Sequence, residues 1–146
     1  MKQNKKENIA VLGAGSWGTT IAIHLFKNGH KVTLWEYFAE NVALMRRNRK
    51  NPLLPGIAIP YDINITGDLD AALKNVDIIL IVVPSHVVRN LLENIDKELV
   101  KDKLIVNLSK GLERNTLKRM SEIINEVLEI PYEQIVTMYG PSHAEE

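Results

Sequence analysis

The segment Gly13-Ala14-Gly15-Ser16-Trp17-Gly18 has the strongest chemical signature in the chain. In the pattern G-x-G-x-x-G, Gly13 permits a tight turn out of a strand and Gly15 lets the backbone approach an anion. Gly18 lets the following helix lie close to its sheet. The free N–H groups of that helix's first turn, with the positive end of its dipole behind them, suit a dinucleotide pyrophosphate. Taken alone the pattern is weak, because a plain strand–helix turn also collects glycines. Its context is more specific. Ile9-Ala10-Val11-Leu12 reads as a buried strand before it, and Lys31-Val32-Thr33-Leu34-Trp35 as a second strand after the helix. That second strand ends at an acid, Glu36, about 20 residues on, as a dinucleotide site requires.

A carboxylate at Glu36 can accept hydrogen bonds from the adenine ribose hydroxyls and repels a 2′-phosphate, which favours NAD over NADP. The plain alternative is a solvated surface acid. Arg46, Arg47, Arg49 and Lys50 act in the opposite direction. They could neutralise a 2′-phosphate, or they could simply be a solvated, cation-rich helix end.

Other strand exits are also rich in reactive or polar groups. Pro84-Ser85-His86, Asn107-Leu108-Ser109-Lys110-Gly111 and Gly140-Pro141-Ser142-His143 each follow a β-branched run. Lys110 beside a glycine suits an anionic group of a substrate or cofactor, and a loop lysine in solvent is the competing reading. His86 and His143 could exchange protons near neutral pH. Each follows a serine near a helix start, where capping is the commoner use. No His/carboxylate set has metal-ligand spacing, and neither a nucleophile elbow nor a paired-carboxylate signal occurs.

The elements that must position these groups alternate between two periodicities. Helical spacing is expected from Ser16 to a glycine cap at Gly29, from about Phe38 to Arg49, and in a short helix capped by Asp68. It recurs in a helix capped by Ser85 and carrying Val87, Val88, Leu91, Leu92 and Ile95. It recurs again in one carrying Leu117, Met120, Ile123, Ile124, Val127 and Leu128. Further strands are Asp77–Val83, Leu104–Val106 and Ile135–Met138, and residues 51–60 are irregular, punctuated by Pro and Gly. Five strands alternating with helices imply an α/β, Rossmann-type doubly wound parallel sheet. The expected strand order is 3-2-1-4-5, in a single domain over 8–146 behind a polar tail, 1–7.

Composition agrees. The chain has 146 residues, 45% of them apolar and 25% charged, with no Cys. This suits one domain and excludes disulfides, thiolate metal sites and thiol nucleophiles. Eighteen basic residues balance eighteen acidic ones, so no basic field points to nucleic acid. The longest apolar run, Ile78–Val83, is far short of a membrane span. A cytoplasmic, soluble protein is expected.

With these motifs assembled, the chain resembles the bacterial-type NAD(P)-dependent glycerol-3-phosphate dehydrogenases. The likeness rests on Gly13-Ala14-Gly15-Ser16-Trp17-Gly18-Thr19, Leu54-Pro55-Gly56 and Val82-Val83-Pro84-Ser85-His86. Ser109-Lys110-Gly111-Leu112-Glu113 and Gly140-Pro141-Ser142-His143-Ala144-Glu145-Glu146 complete it. The last two together are specific. The resemblance implies reversible hydride transfer between NAD(P)H and dihydroxyacetone phosphate/sn-glycerol 3-phosphate, feeding phospholipid synthesis. It implies that Ser16, Trp17, Tyr37, Lys110 and Ala144 touch the cofactor, and that Lys110, Gly140 and Ser142 touch the substrate. Family members often have a small residue at the position of Glu36 and His at that of Tyr37. Both departures here point toward NAD.

The family continues into a helical domain that carries the acid–base lysine, so no catalytic residue is expected within these 146. NAD(H) binding without turnover is the expectation for the chain alone. A non-catalytic NAD(H)-sensing module and a related hydroxyacid dehydrogenase are the alternatives. A homodimer is one candidate assembly, and apolar surface left by a partner domain is another source of self-association.

Overall fold

A computed structural model describes residues 5–140. Its frame is a six-stranded, all-parallel sheet. The chain runs β1 (Asn8–Leu12), α1 (Ser16–Lys27), β2 (Lys31–Trp35), α2 (Ala39–Asn48), β3 (Asn64–Thr66) and α3 (Leu69–Leu73). It continues through β4 (Ile78–Ile81), α4 (Val88–Glu93), β5 (Leu104–Asn107), α5 (Met120–Leu128) and β6 (Ile135–Thr137). The strand order is β3-β2-β1-β4-β5-β6. This is the Rossmann order expected from sequence, extended by one strand.

Strand alternation sorts the core into two layers. Ala10, Leu12, Ile79, Ile81 and Ile105 face α4 and α5, meeting Leu91, Leu92, Ile123 and Ile124. Ile9, Val11, Val32, Leu34 and Leu80 face α1 and α2, meeting Ala22, Ile23, Val42 and Met45. Both faces of the sheet are therefore covered, which is why β1 and β4 read as unbroken apolar runs. Asp68 caps α3 as expected, its Oδ1 accepting the Ala71 N–H at 3.0 Å. Gly29, at φ +90, follows the end of α1.

The structure differs from the sequence expectation in three places. β3 forms in the stretch beyond Pro60, where no strand is expected. Ser85 does not cap α4: the Val87 N–H closes on the Pro84 carbonyl at 3.0 Å, which leaves Ser85 inside a 3-10 turn over Ser85–Val87. Leu117 is not helical. It sits at φ +58, exposed, in a turn closed by Glu113 N–H to the Lys118 carbonyl, and α5 begins only at Met120. Among the described residues no helix is long and apolar enough to cross a membrane.

Candidate dinucleotide-binding site

Because all six strands are parallel, their exits share one edge, and the candidate residues that the structure describes lie along it. The glycine loop leaves β1 at the point where the chain order reverses, between β2 and β4. Its position is set by tight packing. A Cβ on Gly13 would stand 2.4 Å from the Val82 carbonyl oxygen, and one on Gly18 would stand 1.8 Å from that of Gly13. Gly13 also adopts φ +116, a conformation side chains resist. The Gly13 N–H donates to the Trp35 carbonyl at 3.1 Å, tying the loop to the end of β2.

Gly15 is different. Its backbone is extended at φ −66, and a Cβ there would meet no atom within 4 Å. Neither backbone strain nor protein packing demands a glycine at this position. Gly15 is also the N-cap of α1, which has no side-chain cap and no acid in its first turn. Its open N–H groups and dipole therefore fit a pyrophosphate. Ser16 and Trp17, half-buried, form the start of that turn.

At the exit of β2, Glu36 is buried, and its Oε1 accepts the Phe38 N–H at 2.9 Å and the Asn41 amide at 3.4 Å. Glu36 makes no ion pair among the described residues, so its charge is not cancelled by a cation. Tyr37 beside it is exposed and stacks edge-on with Trp35 and Phe38, at centroid distances of 6.2 and 5.1 Å. The basic cluster does not converge on Glu36. Arg46 Nε donates to the Ile65 carbonyl at 2.6 Å and Arg49 Nη1 to that of Ile63 at 2.8 Å. The Arg49 guanidinium also lies 5.2 Å from the Tyr61 ring centroid. Both arginines hold the β3 segment in place.

Lys110 is exposed at the exit of β5. The corner before it is rigid: Asn107, fully buried, bonds both the N–H and the carbonyl of Ser109 at 3.1 Å. The exits of β4 and β5 meet where Gly111 faces Ser85, whose Oγ would lie 3.6 Å from a Cβ there. His86 is exposed in the 3-10 turn. Gly140 lies past β6, separated from β1 by β4 and β5. Ser142, His143 and Ala144 lie outside the described residues. Among the described residues no group of three His, Cys, Asp or Glu is placed to hold a metal.

Sequence reasoning misses one residue at the site. Asn51, part of an irregular stretch, is buried against the glycine loop, its amide 2.8 Å from the Ala14 carbonyl oxygen. Its one local sign is the Asn-Pro pair, which marks a turn and says nothing about a partner 37 residues away.

A doubly wound parallel sheet with this loop at its switch point and an acid ending the neighbouring strand defines a Rossmann-type dinucleotide-binding domain. Over residues 8–146 the chain matches the family model described as NAD-dependent glycerol-3-phosphate dehydrogenase N-terminus, and it belongs to that family. It is 47% identical over 138 residues to glycerol-3-phosphate dehydrogenase (NAD(P)+) of Thermoanaerobacter sp. strain X514, covering 94% of this chain and 41% of that protein. Against the enzyme of the same name from Citrifermentans bemidjiense it is 48% identical over 144 residues, covering 96% and 42%. The crystal structure of glycerol-3-phosphate dehydrogenase from Coxiella burnetii superposes with a TM-score of 0.85 at 34% identity, covering 95% of this chain and 42% of that one. The chain thus spans about two-fifths of the length of the relatives it matches.

Proposed function

We propose that this chain is the cofactor-binding part of a cytoplasmic glycerol-3-phosphate dehydrogenase and that it binds NAD(H) in preference to NADP(H). The observation that carries the reading is Gly15. It needs to be glycine for no reason internal to the protein, and it stands at the uncapped N-terminus of α1. The N–H groups there hold the pyrophosphate. Glu36, buried and without an ion pair among the described residues, accepts from the adenine ribose hydroxyls and disfavours a 2′-phosphate. Tyr37, exposed beside it, offers a face to the adenine.

When bound, the nicotinamide supplies or accepts the hydride exchanged with dihydroxyacetone phosphate/sn-glycerol 3-phosphate. Lys110, at the braced exit of β5, provides positive charge for the phosphate-bearing substrate and the cofactor, with Gly140 and Ser142 completing the substrate contacts and Ala144 a further cofactor contact. For these 146 residues by themselves the proposed behaviour is NAD(H) binding with little or no turnover. A homodimer is the assembly we would test first, by sedimentation.

Titration of NADH and NADPH against the fluorescence of Trp17 and Trp35 tests the reading. Tighter NADH binding, by a factor of about ten, is expected from one uncompensated carboxylate facing the 2′ position. Failure to bind either nucleotide overturns the assignment, and equal affinity overturns the NAD preference.

A further inference from the structure

We propose that Asn51 is a positioning residue for the pyrophosphate, acting through the glycine loop; the proposal rests on the reading of that loop as the cofactor site. Asn51 is 3% exposed. Its side-chain amide donates to the Ala14 carbonyl at 2.8 Å and to Thr19 Oγ1 at 2.6 Å, and reaches the Gly15 carbonyl at 3.4 Å. One amide group therefore spans the whole loop, from the residue before the cap to the first turn of α1.

The bond to Ala14 determines a direction. In a planar trans peptide, the carbonyl of Ala14 and the N–H of Gly15 point opposite ways. Anchoring the carbonyl on Asn51 therefore fixes the Gly15 N–H on the opposite side of the peptide plane, at a residue where an added Cβ would meet nothing within 4 Å. That N–H donates to no group among the described residues. The oxygen of the amide is used as well: Asn51 Oδ1 accepts the Leu53 N–H at 2.9 Å, an Asx turn that fixes the side chain before it meets the loop.

The segment that presents Asn51 is itself closed. Lys50 and Ala58 form an antiparallel bridge, and the Ile59 N–H donates to the Arg49 carbonyl at 2.8 Å. Beyond the turn, Leu54 and Ile57 lie beside α1, lining with Thr20, Ile23, His24 and Lys27 a groove of about 220 Å³. The irregular stretch after α2 is thus a strap laid along α1, with Asn51 as its polar grip on the glycine loop.

Asn51→Ser keeps a neutral side-chain oxygen for the turn but is too short to reach Ala14. The expected result is about tenfold weaker binding of both NADH and NADPH, the ratio for about 1.4 kcal/mol. The preference between them should stay unchanged, because the pyrophosphate is common to both. In amide NMR spectra the Gly15 and Ser16 resonances should shift while those of Glu36, Tyr37 and Phe38 stay. If the serine variant does not fold, Thr19→Val removes the amide's second acceptor, with about threefold weaker NADH binding expected. NADH affinity within about twofold of the parent in the folded variant overturns the proposal. So do resonances at Glu36–Phe38 that move as far as those of Gly15, since that would mean general loosening. A parent chain that binds neither nucleotide defeats the cofactor reading itself. A parent that binds, with a variant that binds equally well, defeats this inference alone.

Discussion

Arg89 on α4 grips Glu113 through two parallel hydrogen bonds, Nε to Oε1 at 2.7 Å and Nη2 to Oε2 at 3.0 Å. Glu113 lies three residues beyond Lys110, in the turn between β5 and α5, so this pair fastens the far side of the Lys110 corner to a helix of the core. Arg89 also reaches Glu126 on α5 at 3.1 Å. Hydrogen bonds from Arg89, then from Thr116, and the nearby positive charges hold the Glu113 carboxyl down at about 2, from an ordinary 4.5. A depressed acid contributes stability that is fully present above its unfolded value and lost as pH falls through its folded one. The melting temperature should therefore decline between about pH 4.5 and pH 2, and Glu113→Gln should flatten that decline. An unchanged profile in the variant would show that this pair does not drive the acid limb.

The glycines of the loop should separate by experiment. Gly18→Ala places a methyl 1.8 Å from a backbone oxygen that cannot move aside cheaply. Overpacking of this kind costs about 1–3 kcal/mol or more, which at about 2–4 °C per kcal/mol is a clear drop in melting temperature. Gly15→Ala has room and an ordinary φ. It should melt within about 2 °C of the parent yet bind NADH at least about tenfold more weakly. Calorimetry and nucleotide titration on the two variants check both halves. A Gly15→Ala chain that binds NADH normally would remove the main support for the pyrophosphate site.

What the sequence can reveal depends on whether a feature is local. β4 is legible because a strand covered on both faces must be apolar throughout, and Glu36 because the turn-to-acid distance is set by one βαβ unit. β3 is not. Asn64-Ile65-Thr66 is too short to show a period, and it forms because Trp35 and Thr33 offer an open edge while Arg46 and Arg49 hold the carbonyls of Ile65 and Ile63. The same reason hides Asn51, whose role exists only once the strap after α2 folds back on the loop. The basic cluster misleads for a related reason: its spacing shows charge, but not that Arg46 and Arg49 are spent on backbone carbonyls.

Glu36→Gln isolates the charge of that side chain from its structural bond. A glutamine oxygen can still accept the Phe38 N–H that Glu36 Oε1 holds at 2.9 Å, so the start of α2 should persist. The ribose hydroxyls keep an acceptor while a 2′-phosphate loses a repulsive neighbour. The ratio of NADH to NADPH affinity should fall about tenfold, mostly through tighter NADPH. Paired titrations read it directly. A ratio unmoved by the substitution would mean that specificity is decided elsewhere.

Arg46→Gln distinguishes the two uses of the basic cluster. If Arg46 serves as a phosphate counter-charge, its loss should weaken NADPH and leave stability nearly unchanged. Its Nε instead lies 2.6 Å from the Ile65 carbonyl, in the middle of an edge strand whose sheet partner is β2. Losing a charge-assisted bond to that strand should cost about 1.5–3 kcal/mol, seen as a fall of several degrees in melting temperature and faster amide exchange at Ile65 and Thr66. NADH and NADPH affinities should keep their ratio. Selective loss of NADPH binding without destabilisation would reverse the assignment and make the α2 end a phosphate-binding surface.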